Sequence, residues 1–248
     1  MKRLFTVLFF ALLLVLTACG SSDGTKPKDS KAAKIIEDTK KAHAELDTIY
    51  VTYDEGNDDF RHESFREMDM KNNLVRVDTQ LNGMIYYADA EHNYFEGPEI
   101  PEEQREREHT FAALVLEEFE KISENPFHVF ERMIDDLENH MTVDEKDGMY
   151  ILTYAPTEEE FTAQFQEFAK RSIQADDLII EMPEYDEYRI QIMIDKETNL
   201  VQGTELVEYY TYSVEGQEFP QQRKTFTKDY RYNEALDITI PESAVVIE

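Results

Sequence analysis

The chain has 248 residues, with 54 Asp and Glu against 25 Lys and Arg and a formal net charge of −29. Such an acidic surface repels the phosphates of nucleic acid, which excludes nucleic-acid binding. The single cysteine leaves no disulfide to form within the chain, so its core must suffice, as it can at this length.

Lys2 and Arg3 precede an apolar run, Leu4 to Leu16, too short for a stable bilayer span, which needs about 20 residues. A positive start, a short apolar core and small residues at its end describe an export signal. Leu16-Thr17-Ala18-Cys19 resembles the bacterial lipobox, in which the Cys sulfur receives a diacylglyceryl group and the leader is cut just before it. The polar, flexible stretch Gly20-Ser21-Ser22-Asp23-Gly24 suits a tether better than a core. Residues 1–18 thus read as a signal peptide, 19–30 as the lipidated Cys19 and its tether, and 31–248 as one domain. Two acyl chains hold a protein firmly on a membrane. The expected place is the extracytoplasmic face of the cell membrane, with the membrane itself as partner through the anchor.

Residues 31–47 predict an amphipathic helix with Ile35, Ile36, Ala42 and Leu46 on its apolar side. Ile49, Val51 and Tyr53 alternate as a strand, and Gly56-Asn57-Asp58 reads as a turn. Val75 to Leu81 and MIYYADA form two strands around Asn82-Gly83, a strong hairpin signal because both residues accept positive φ. A helical insert over 101–139 carries Phe111, Leu114, Val115, Phe119 and Ile122 at helical spacing. After Asn125-Pro126, an N-cap and first-turn proline, come Phe127, Phe130, Ile134 and Leu137. Strands at 140–146 and 149–155 flank Asp147-Gly148. Thr157-Glu158-Glu159-Glu160 is a capping box opening a helix with Phe161, Phe165, Phe168 and Ile173 on one stripe. Strands return with Ile190, Ile192 and Ile194, then at 200–213, 222–232 and Ile238 to Ile240. Antiparallel hairpins with helices grouped between them predict an α+β fold.

Motifs that carry chemistry are missing. The six histidines (43, 62, 92, 109, 128 and 140) are scattered without metal-ligand spacing, and no G-x-G-x-x-G or phosphate-binding loop occurs. Asp54 to Asp59 offers oxygen ligands for calcium, but Gly56 is misplaced for an EF-hand loop and the closing Glu is lacking. That segment, Asp144-Glu145 and Asp176-Asp177 read as solvated turns. No catalytic residue, metal or cofactor is expected, and the protein reads as non-enzymatic. Tyrosines 86, 87, 94, 150, 154, 209, 210 and 212 fall in or beside strands, and Phe residues gather in the helices. They fit ordinary core packing, or an apolar cavity with Tyr hydroxyls at its rim.

The closing segments IDKETNLVQG and YRYNEALDITIPESA carry two soft motifs: Ile194, Asp195, Thr198 and Leu200 at a turn, and Tyr232-Asn233 followed by Ile238, Ile240 and Pro241. With the order of elements, they resemble Gram-positive lipoproteins of unassigned function related in fold to the LolA, LolB and LppX lipoprotein-carrier and lipid-binding group. The resemblance implies a strongly curved antiparallel sheet, a half-barrel, with helices packed on its concave face. It also implies a concavity that accepts acyl chains, and it carries no catalytic residues. The expected function is a membrane-anchored lipoprotein binding a lipid or other apolar ligand between sheet and helices. The alternative is an acidic interaction or structural module docking a basic cell-envelope partner.

Overall fold

The structure, a computed structural model, describes residues 31–57, 60–80, 83–98, 102–173, 179–214 and 216–247. Cys19, the lipobox and the tether lie outside the described residues, as do Asn82 and Asp176-Asp177.

Eleven strands form one open antiparallel sheet. In chain order they are β1 (Thr48–Gly56), β2 (Arg61–Asp69), β3 (Leu74–Asp78), β4 (Ile85–Ala88), β5 (Asn93–Glu96), β6 (Thr142–Lys146), β7 (Met149–Tyr154), β8 (Ile180–Asp195), β9 (Val201–Val214), β10 (Gln217–Tyr232) and β11 (Val245–Ile247). Their order across the sheet is β11-β5-β4-β3-β2-β1-β10-β9-β8-β7-β6, so the two ends do not meet. The sheet is the half-barrel of an α+β fold. Five helices accompany it among the described residues: α1 (Lys31–Ala44), α2 (Glu102–Glu124), α3 (His128–Met133), α4 (Leu137–His140) and α5 (Glu158–Ile173).

Register slips give the sheet its coil. In β8, breaks between Glu181 and Glu184 and between Tyr185 and Glu187 insert extra residues opposite β9. Ile180, Tyr185 and Tyr188 therefore face the core, while Glu181, Glu184 and Glu187 face away. Such bulges sharpen local twist and bend the strand. A further slip separates Tyr50 from Thr52 in β1.

Helices start and stop where local chemistry dictates. In the capping box before α5, the Glu160 N–H donates to Thr157 Oγ1 at 3.3 Å and the Thr157 N–H donates to Glu160 Oε2 at 2.9 Å. That backbone donor, with the Thr157 hydroxyl, holds the Glu160 carboxyl below the usual carboxylate range. Thr157→Ala is expected to cost about 1 kcal/mol, read as a lower urea midpoint with an unchanged m-value.

Several elements depart from the sequence expectation. The apolar stripe at 127–137 forms two short helices, because Ile134 turns to extended backbone (φ −117°, ψ 108°) and Asp136 adopts a left-handed conformation (φ 51°). The break lets both Ile134 and Leu137 reach full burial. Ile238 to Ile240 joins no ladder, and the last strand is Val245–Ile247, paired with β5. In α1 the buried stripe runs Ala32, Ile35, Ile36, Thr39 and His43, so His43 takes the place expected of Ala42. Asp144-Glu145 lies in edge strand β6, where Glu145 pairs with Lys31 and Lys196. Those two ammonium groups hold its carboxyl at about 2.

Candidate functional site

Two apolar clusters cover the inner face of the sheet. The first packs α1, α3, α4 and α5 on β7 to β10, with Phe161, Phe165, Tyr188, Tyr210 and Ile192 at its heart. The second packs Ala112, Leu116 and Phe119 of α2 on β1 to β5, against Val51, Met68, Val77 and Tyr86. Tyr230 packs against both clusters and marks the seam between them.

Under α5 the aromatic side chains fill space. Phe161 stacks on Tyr188 with ring centroids 4.4 Å apart and meets the Tyr210 ring edge-on at 4.8 Å. Such offset and edge-on contacts follow the charge distribution of the rings. Three inward tyrosine hydroxyls find partners inside the protein. Tyr185 donates to the Pro156 carbonyl at 2.9 Å, Tyr154 to Gln164, and Tyr230 bonds Thr227 at 2.8 Å. Burial raises the Tyr154, Tyr188 and Tyr210 hydroxyls well above their usual pKa. Here the aromatic content is packed core.

The two soft sequence motifs meet at one corner of the seam. Asp195 accepts from the Thr198 N–H and hydroxyl, both at 2.8 Å, which shapes the β8–β9 turn. The Asp47 N–H donates to Asn233 Oδ1 at 2.8 Å, while Tyr232 donates its hydroxyl to the Val201 carbonyl. His43 sits edge-on to the Tyr232 ring, at 5.6 Å, and its Nε2 accepts from the Val201 N–H at 3.4 Å. Burial lowers the His43 pKa to about 4, and the nearby Ser123 backbone offsets this only in part. Both motifs therefore act by fixing turns and a strand end.

A polar row crosses the inner face where the helices leave it uncovered. Arg223 of β10 bonds Glu208 of β9 through Nε at 2.7 Å and Glu55 of β1 through Nη1 at 3.0 Å. Asp54 faces Arg61 at 2.8 Å and Lys228 at 3.6 Å. Asp54 and Glu55 are thus neutralised by bases, and among the described residues no three His, Cys, Asp or Glu converge as metal ligands. Asp58 and Asp59, the remainder of that segment, lie outside the described residues. Two solvent-open clefts are lined by described residues. One of about 320 Å³ lies between α5 and the α3–α4 segment, beside Met133, His140 and Gln164. The other, of about 460 Å³, opens at Tyr50, Phe65 and Arg231.

Among the described residues, no helix is long and apolar enough to cross a membrane. Comparison of the sequence with curated proteins found no match. Solved structures similar to this chain include the lipoprotein LppX of Mycobacterium tuberculosis, with a TM-score of 0.42 and 6% identity over 84% of this chain and 98% of that one. LprF of Mycobacterium bovis gives a TM-score of 0.39 and 11% identity, over 88% and 100% of the two chains. A LolA-superfamily protein of Nitrosomonas europaea gives a TM-score of 0.26 and 9% identity, over 83% and 94%. The LppX and LolA groups named by the sequence resemblance are thus among the structures it matches. The model of a family of unknown function, DUF6612, matches residues 67–246, and the chain belongs to that family.

Proposed function

We propose that the protein is a non-enzymatic lipoprotein, held on the extracytoplasmic face of the cell membrane by a diacylglyceryl group on Cys19. Its task in this reading is to bind an apolar or amphipathic ligand between sheet and helices. The observation that supports ligand binding is the divided inner face. Two clusters share Tyr230 at their seam, with α2 covering one and α1 and α5 covering the other. A ligand entering there would displace side chains at the seam, and it need not find a ready-made hole.

The anchor is tested by feeding cells radiolabelled palmitate: wild type should carry label in the membrane fraction and Cys19→Ala should not. Unlabelled wild type would end the anchoring half. The ligand half is tested by titrating the full chain with a fluorescent fatty acid and by mass spectrometry of co-purifying lipid. Saturable uptake supports it. A flat titration with no lipid in the preparation overturns it.

A further inference from the structure

Strand β2 carries an arginine, Arg66, whose surroundings differ from those of seven other arginines. Arg66 lies opposite Val51 on one neighbouring strand and Val77 on the other, both core residues of the second cluster, so its side chain faces inward. Its guanidinium carbon stands 3.6 Å from the centre of the Tyr53 ring and 5.9 Å from that of Phe119 on α2. Nε is shielded from solvent without a hydrogen-bond partner, and among the described residues no carboxylate pairs with the group. Arg61, Arg76, Arg132, Arg171, Arg189, Arg223 and Arg231 each have a carboxylate within 3.9 Å. In a chain where acids outnumber bases about two to one, an inward cation with no described acid paired to it stands apart.

That isolation has a chemical meaning. Ring faces hold a guanidinium in place but leave its donors unsatisfied. The planar fork matches a carboxylate or a phosphate through two parallel hydrogen bonds. The cluster it faces also holds Met68, Met70 and Met84, thioethers that repack readily around a varied apolar surface. The position also belongs to the seam, since the Arg66 charge acts on the hydroxyl of Tyr230. A small free anion would be repelled by a chain of charge −29, whereas an anion joined to an apolar tail gains burial that offsets the repulsion.

We infer that Arg66, between Tyr53 and Phe119 on the inner face, is the subsite for the anionic head, carboxylate or phosphate, of an amphipathic ligand. This rests on the ligand-binding reading above and specifies its chemistry.

The test titrates the full chain, carrying Cys19→Ser to remove the acyl groups, with decanoate, decyl phosphate and decanol below their micelle concentrations, followed by calorimetry. At least one anionic probe should bind tenfold or more tightly than decanol, and the tighter of the two names a fatty acid or a phospholipid as the source. Arg66→Met should bring the anionic probes down to the decanol affinity without changing decanol. Arg66→Lys, which keeps the charge but loses the fork, should fall between. Decanol binding wild type as tightly as the anions overturns the subsite while leaving apolar-ligand binding intact, and needs no variant to be seen. An anion preference that survives Arg66→Met overturns it equally. Failure of all three probes to bind overturns the ligand-binding reading itself.

Discussion

Phe161→Ala is expected to destabilise the protein by about 4 kcal/mol, the loss typical of a phenyl ring removed from a closed core. The ring is 1% exposed and touches Phe165, Tyr185, Tyr188 and Tyr210. It joins α5 to β8 and β9, so truncation would leave a void bordered by three strand tyrosines that cannot collapse without moving the sheet. The melting temperature should fall by on the order of 10 °C. Phe161→Leu, which refills most of the volume, should recover more than half of that loss. The experiment also decides between packed core and hollow. If the space beneath α5 were a ligand cavity, truncating its lining would cost well under about 2 kcal/mol, because no close-packed contacts would be lost. Thermal and urea denaturation of the two variants read the outcome.

His43 should make stability depend on pH in a defined window. Its pKa in the folded protein is about 4, against 6.5 for the free side chain, because burial beside Tyr232 and Val201 disfavours the charged imidazolium. Between those values the unfolded chain binds a proton that the folded one refuses. Stability from this group is therefore complete above pH 6.5 and is lost as the pH falls toward 4, by about 3 kcal/mol in all. The acidic coat acts in the opposite direction, since protonating carboxylates relieves their mutual repulsion. The two effects separate by difference: wild type minus His43→Gln should lose stability steadily from pH 6.5 to 4 and stay flat above 7. A flat difference throughout would mean that the imidazole titrates normally. Carboxylates held below their usual range by donors, Asp89, Glu160 and Asp195, lose their contribution from about the ordinary carboxylate range downward, and they cancel in the difference.

What could be read from the sequence followed apolar periodicity. The hairpins β3–β4 and β8–β9 and the aromatic stripe of α5 stood out because their inward positions are apolar at the period of their element, while Asp147-Gly148 marked β6–β7 and the Thr157–Glu160 spacing marked the capping box. Strand β2 did not. Its inward residues are His62, Ser64, Arg66 and Met68, so three of four core-facing positions are polar and no alternation is visible. The strand that hides from periodicity is the one that bears the proposed headgroup subsite, as expected where a site replaces core. The only signal was negative, an unassigned stretch of 16 residues (59–74) between the Gly56-Asn57-Asp58 turn and the strand that starts at Val75. His43 was missed for a related reason. A polar type occupied the i+7 position of the Ile36 stripe, and burial, which sequence does not display, made it core. The two short helices at 128–140 share the apolar spacing of one continuous helix, and only the backbone at Ile134 and Asp136 distinguishes them.

The strand order has a consequence for how the molecule is made. At the centre of the sheet β1 lies between β2 and β10, and Ile49 pairs with Tyr232, far away in sequence. During synthesis from the N-terminus, β1 to β5 emerge long before β10, so one edge of β1 stays without its neighbour until residues 217–232 are made. Loops of such length close slowly, and the waiting half-sheet offers bare backbone to any extended segment it meets. Nascent chains stopped before Gln217 should thus be the species that chaperones hold and proteases remove.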